Sequence, residues 1–91
     1  MDTFYIEHSE LNFRNNQKIL TALLDTLNKS KQGLLIDLKN VDYVDSIGIS
    51  IFVSVYEVAN AQKKKMELLN ANDKVQKLLH ITKLNTLFNL K

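Results

Sequence analysis

The stretch GLLIDLKNVDYVDSIGISIFVSVYEVANAQ, residues 33–62, decides how the rest of the chain is read. LLIDL (34–38) is a nearly continuous apolar run, the pattern of a strand covered on both faces. A loop carrying Asp42 and Asp45 follows, and then SIGISIFVSVYEVANAQ. The β-branched residues of that last segment suit a strand. Its length and its lack of a breaker after Gly48 predict a helix instead. Strand, short loop and long apolar helix make the first half of a parallel crossover unit.

The flanks repeat this alternation. TFYIE (3–7) is short, aromatic and β-branched, and reads as a strand. From Phe13 the period becomes helical: Phe13, Leu20, Leu24 and Leu27 share a stripe with Ile19 and Leu23 beside it, and Asn12 is the expected N-cap. NKSKQG closes that helix, with Gly33 suited to a turn. MELLN (66–70) is a further strand, and Asn72 or Asp73 caps KVQKLLHI, whose seam is Val75, Leu78 and Leu79. The tail LNTLFNL is apolar enough to dock as a last helical turn. The order β-α-β-α-β-α predicts an α/β fold, a mainly parallel sheet of three to four strands covered by helices.

Composition narrows the functions. The chain has 91 residues, enough for one domain with a modest core. It has no cysteine, which excludes disulfides, thiolate catalysis and cysteine-ligated metal. His8 and His80 lie far apart and show no ligand spacing. Twelve basic against ten acidic residues leave a net charge of +2, too weak and too scattered for a nucleic-acid partner. Lys63, Lys64 and Lys65 are the one basic cluster, and they suit a solvated helix C-terminus. The first residues lack a signal core, and no stretch approaches the roughly 18 apolar residues of a membrane span. The expectation is a soluble cytoplasmic domain without membrane insertion.

In an open α/β sheet, function tends to sit where loops leave the carboxyl ends of strands. The loop after LLIDL carries Asp45 and Ser46, followed by Gly48. Ser46 is readable as a plain helix N-cap, a role Asp45 fills equally well. It is also readable as a hydroxyl displayed at a helix N-terminus, where free N–H groups and the macrodipole tolerate a phosphate. Gly48, lacking a side chain, would let another protein approach closely. On the helix that follows, Ser50, Ser54 and Glu57 form one narrow polar stripe. The apolar residues that fill most of the remaining circumference are more than one sheet face needs, so the surplus is either buried by neighbouring helices or offered to a partner. Enzyme readings are poorer. No base is placed to activate Ser46, DSIG is not a nucleophile elbow, and two glycines make no phosphate loop. Asp37, Asp42 and Asp45 have the chemistry for Mg²⁺ but no further ligand, so neither metal nor cofactor is expected.

From Gly33 to Phe88 the chain resembles the STAS family, the domain of anti-sigma factor antagonists and sulfate transporters. The residues that carry the resemblance are strand-Asp-Leu at LLIDL, the loop, Asp45-Ser46-x-Gly48, the apolar helix, the later strand, Leu78-Leu79 and KLNTLF. The resemblance implies one domain over residues 1–91 and no enzymatic activity. It also implies partner switching: a serine kinase that doubles as the anti-sigma factor phosphorylates the motif serine, and a serine phosphatase resets it. Carried over, Ser46 is the phosphoacceptor. Asp45, Ser46, Ile47, Gly48, Ile49 and Phe52 are the candidate partner-binding residues, and ATP and Mg²⁺ belong to the kinase. Three departures stand out. Ser50 replaces a second motif glycine, Lys83 stands where a glycine is common, and only one strand is evident before the first helix. The short N-terminus resembles a second branch, the small subunit that binds the ABC ATPase of a lipid-transport (Mla-type) complex. A third reading is a small ligand- or nucleotide-binding domain with Asp45 and Ser46 at its site. Monomer or dimer is left open.

Overall fold

The computed structural model describes the backbone of residues 1–90 and the side chains of residues 1–88. The elements run β1 (Asp2–Tyr5), β2 (Glu10–Leu11), α1 (Asn16–Lys29), β3 (Gly33–Asp37), β4 (Tyr43–Val44), α2 (Ser46–Ala61), β5 (Lys65–Leu69), α3 (Asp73–Ile81), a 3₁₀ turn (Leu84–Thr86) and β6 (Asn89–Leu90). The expected α/β alternation is present. β1, β3, β5 and β6 form one sheet in that order with every pair parallel, and β2 pairs with β4 in a second, two-stranded sheet.

Strand parity sets the core. Phe4, Ile36 and Leu68 lie side by side in register, as do Leu34 and Met66. Leu34, Ile36, Met66 and Leu68 are buried, whereas Leu35 and Leu69, which point the other way, are half-buried. A sheet whose parallel strands follow one another in chain order, joined by right-handed crossovers, receives its helices on a single face. The expectation that LLIDL is covered on both faces is therefore corrected: one face meets the helices and the other is only partly sheltered.

α1 presents Ile19, Leu23 and Leu27 at four-residue intervals, all buried, with Leu20 and Leu24 packed beside them. Asn12 does not cap it. Its Oδ1 accepts the Arg14 N–H at 2.9 Å and its carbonyl accepts the Asn16 N–H at 2.9 Å, so it opens a turn and the helix starts later. Phe13, expected on the buried stripe, falls in that turn and is 63% exposed. At its far end α1 is closed by Lys64, whose Nζ donates to the Leu27 carbonyl at 2.9 Å. One lysine of the basic cluster thus serves the neighbouring helix instead of remaining solvated, as its attraction to a helix C-terminus favours.

α2 spans the predicted segment, and most of its surplus apolar surface is covered. It packs against α1 and β5, and Phe52 and Tyr56 meet Phe88 edge to face, with ring centroids 6.3 and 5.6 Å apart. Such contacts add about 1 kcal/mol each to the burial itself. Asn72 caps α3 by accepting the Val75 N–H at 2.8 Å. Lys83 is left-handed at φ 62°, so a residue with a Cβ sits where glycine is favoured, at a cost of about 1 kcal/mol. The tail departs from a plain helical turn: after the 3₁₀ turn it adds the edge strand β6 beside β5.

Candidate functional site

The loop that presents Ser46 is held from two sides. On one side β2 and the residue before it supply acceptors: the Ser9 carbonyl takes the Asp42 and Tyr43 N–H groups at 2.7 and 3.2 Å, and the Leu11 carbonyl takes the Asp45 N–H at 3.1 Å. On the other, the Asn72 side chain donates to the carbonyls of Val41 and Asp42, both at 3.2 Å, which ties the loop to the start of α3. β2 is only two residues long and shows no period, so it was invisible to sequence reasoning. Its signal was the lone buried Leu11 between polar neighbours.

Asp45 ends this clamped loop in an extended conformation, and its Oδ1 accepts the Gly48 N–H at 2.6 Å. Of the two candidate caps, Asp45 therefore does the capping, worth about 1 kcal/mol over alanine. That releases Ser46. It is the first helical residue of α2, it is exposed, and its hydroxyl has no hydrogen-bond partner among the described residues. Ile47 beside it is 46% exposed.

The next motif positions turn inward. A Cβ on Gly48 would overlap the Leu11 carbonyl oxygen, so the glycine admits the chain's own β2. The expectation that Gly48 lets another protein approach is corrected on that ground. Ile49 is 6% exposed and Phe52 fully buried. Both were candidate contact residues, and both are corrected to core residues that pack α2. Of the six candidates, Asp45, Ser46 and Ile47 remain at the surface. The sequence mixed the two groups because one helical turn carries residues of both faces.

Between this corner and α3 lies a groove of about 350 Å³. Tyr43 and Ser46 line one wall, and Lys74, Lys77, Leu78 and Ile81 the other. Ile81 and Tyr43 are 69% and 53% exposed, so the groove is apolar in its walls and edged with charge. The lysines and Ile81 were missed as site residues, because they lie some thirty positions away and meet Ser46 only when α3 packs against β4.

The three aspartates considered for Mg²⁺ do not share a site. Asp37 is buried at the end of β3, where Oδ1 accepts the Lys39 N–H at 2.9 Å and the Asn70 amide at 3.2 Å. Asp45 is engaged by Gly48, and among the described residues no three acids or histidines gather as metal ligands. Among those residues, too, no helix is long and apolar enough to cross a membrane.

Comparison with known proteins bears on the family and the fold. The STAS domain family matches residues 4–91. The anti-sigma-B factor antagonist of Staphylococcus aureus is 32% identical over 59 residues, covering 65% of this chain and 55% of that protein. The chain thus matches about half the length of such relatives. In three dimensions it is similar to a proposed anti-sigma factor antagonist from Thermotoga maritima, with a TM-score of 0.84 at 21% identity over 97% of this chain and 77% of the other. It also resembles an anti-sigma-factor antagonist (STAS) domain protein from Planctomyces limnophilus, with a TM-score of 0.78 at 18% identity over 91% and 72% of the two chains. At those identities the likeness concerns the fold.

Proposed function

The chain belongs to the STAS domain family, and from that membership we propose that it is an anti-sigma factor antagonist acting by partner switching. Unphosphorylated, it docks through Ser46, Ile47 and the groove beside them on a serine kinase that is also an anti-sigma factor, and so frees the sigma factor. The kinase transfers the γ-phosphoryl group of its own Mg²⁺-bound ATP to the Ser46 hydroxyl, and a serine phosphatase removes it.

One observation supports this most: a hydroxyl without a hydrogen-bond partner among the described residues, exposed at the start of a helix whose cap is supplied by its neighbour Asp45. A structural serine would have a bond to lose; this one changes charge without breaking anything in the core. Phosphorylation adds about −1.5 to −2 charges, next to the Asp45 carboxylate and on the rim of an apolar contact. Repulsion and desolvation there oppose docking, while α2's N-terminus eases the charge within the free protein. The name of the curated relatives, anti-sigma-B factor antagonist, adds to the case. The lipid-transport reading leaned on a short N-terminus, and two strands, β1 and β2, precede α1.

The test is incubation with each serine kinase encoded nearby, with ATP, followed by intact mass. One added phosphoryl group, lost in Ser46→Ala, is expected, together with kinase binding that disappears once the group is on. No mass gain with any of them, alongside stable binding to a transporter ATPase, would reject the proposal in favour of the second branch.

A further inference from the structure

One of two lysines on the groove is at odds with its own helix. Lys74 is the second residue of α3 and Lys77 lies one turn further on, so Lys74 sits at the positive end of the macrodipole, where a cation is disfavoured. Asp73 stands four residues before Lys77, the spacing of a favourable helical ion pair. Yet neither lysine takes part in an ion pair among the described residues. Both line the groove that holds the Ser46 hydroxyl.

None of the other charged and titratable groups around it forms an ion pair with either lysine among the described residues. Asp45, from the N-cap of α2, bonds the Gly48 N–H, and Tyr43, from β4, contributes a phenol. Asp42 and Asp73 border a separate hollow, which Lys74 also touches. Two cations, one engaged carboxylate and one free hydroxyl therefore converge on a single cavity.

We infer that Lys74 and Lys77 are the chain's own receptor for a phosphate on Ser46, and that the phosphorylated groove is closed by an internal ion cluster. This rests on reading Ser46 as the phosphoacceptor. In the transfer, the bond from Ser46 Oγ to phosphorus forms and the bond from phosphorus to the nucleoside diphosphate breaks. The hydroxyl proton passes to a base of the kinase. The phosphoryl oxygens then accept charge-assisted hydrogen bonds from both ammonium groups, and the lysine stems lie along Leu78 and Ile81, covering the apolar wall that a partner would use. Modification thus removes the docking surface as well as repelling what approaches it.

The test needs no kinase. Phosphoserine is incorporated at position 46 during synthesis of the full chain, and its second ionisation is followed by ³¹P NMR. Free phosphoserine titrates near pH 6. The folded protein should titrate lower, and Lys74→Gln/Lys77→Gln should raise the midpoint by about half a unit, because two opposite charges are lost from the anion. Lys18→Gln, which lies on a different groove beside β1, should leave it unchanged. In the unsubstituted phosphoprotein the Cε and Hε signals of Lys74 and Lys77 should shift across the same midpoint. An unaltered midpoint in the double variant, or lysine signals that stay still, overturns the receptor and leaves the phosphoacceptor reading standing. A kinase survey that never labels Ser46 defeats that reading and has no bearing on this titration.

Discussion

Ser46 and Ile47 face solvent, while Gly48, Ile49 and Phe52, within two turns of the same helix, are buried. Both groups belong to the same recognisable stretch, and they perform opposite tasks. Gly48 lets the first turn of α2 lie against the Leu11 carbonyl, and Ile49 and Phe52 fix that helix on the sheet. Because the turn is anchored so firmly from below, the two residues above it need no bonds of their own. The motif reads as one unit in sequence, yet the difference shows that part of it is a pedestal and part the object displayed.

Substitutions at four positions sharpen that division. Phe52→Ala should cost the most, about 3–5 kcal/mol in denaturant titration, since it empties a fully buried site and abandons the edge contact with Phe88. A loss below 1 kcal/mol would show that the pedestal is looser than described. Gly48→Ala should follow at about 3 kcal/mol, because the added methyl group can be fitted only by parting α2 from β2. Thermal melting of that variant, with hydrogen exchange at Asp45 N–H, reads both the loss and its location. Asp45→Ala removes the cap alone and should lower stability by about 1 kcal/mol, with Asp45→Asn recovering most of it. Ser46→Ala, at the displayed end, should alter stability by less than about 0.5 kcal/mol while abolishing phosphoryl acceptance. A large fall in its melting temperature would mean that the hydroxyl is structural after all.

A second contrast explains why the acids are not one site. Asp37 ends β3 and Asp45 directly follows β4, and both looked available. Asp37 joins the ends of β3 and β5 by holding Asn70 and the Lys39 N–H, whereas Asp45 holds the first turn of α2. Each of these two carboxylates is committed to a different piece of structure, so at the start of α2 the polar group left over for other molecules is the Ser46 hydroxyl.

Much of the fold was legible because its elements are long enough to show a period. α1 declares itself by Ile19, Leu23 and Leu27, α2 by sixteen unbroken residues, and β3 and β5 by apolar runs. The elements that went unseen, β2, β4 and β6, have two residues each, too few for alternation to register. Their pairing comes from backbone hydrogen bonds, which carry no residue code. Phe13 falls outside α1 for another reason: Asn12 opens a turn, and the helix begins three residues after the phenylalanine.

Sequence by itself determined the alternation of strands and helices, the family resemblance, and that an aspartate and a serine stand together before a helix. Local periodicity and side-chain chemistry are properties of neighbours along the chain, and they survive without knowledge of the rest. Tertiary structure alone decided which motif residues are covered, that Asp45 takes the cap and frees Ser46, and that Lys74 and Lys77 arrive beside it. Burial and the meeting of distant charges depend on how β2, α2 and α3 pack against one another, and no window along the chain contains all three.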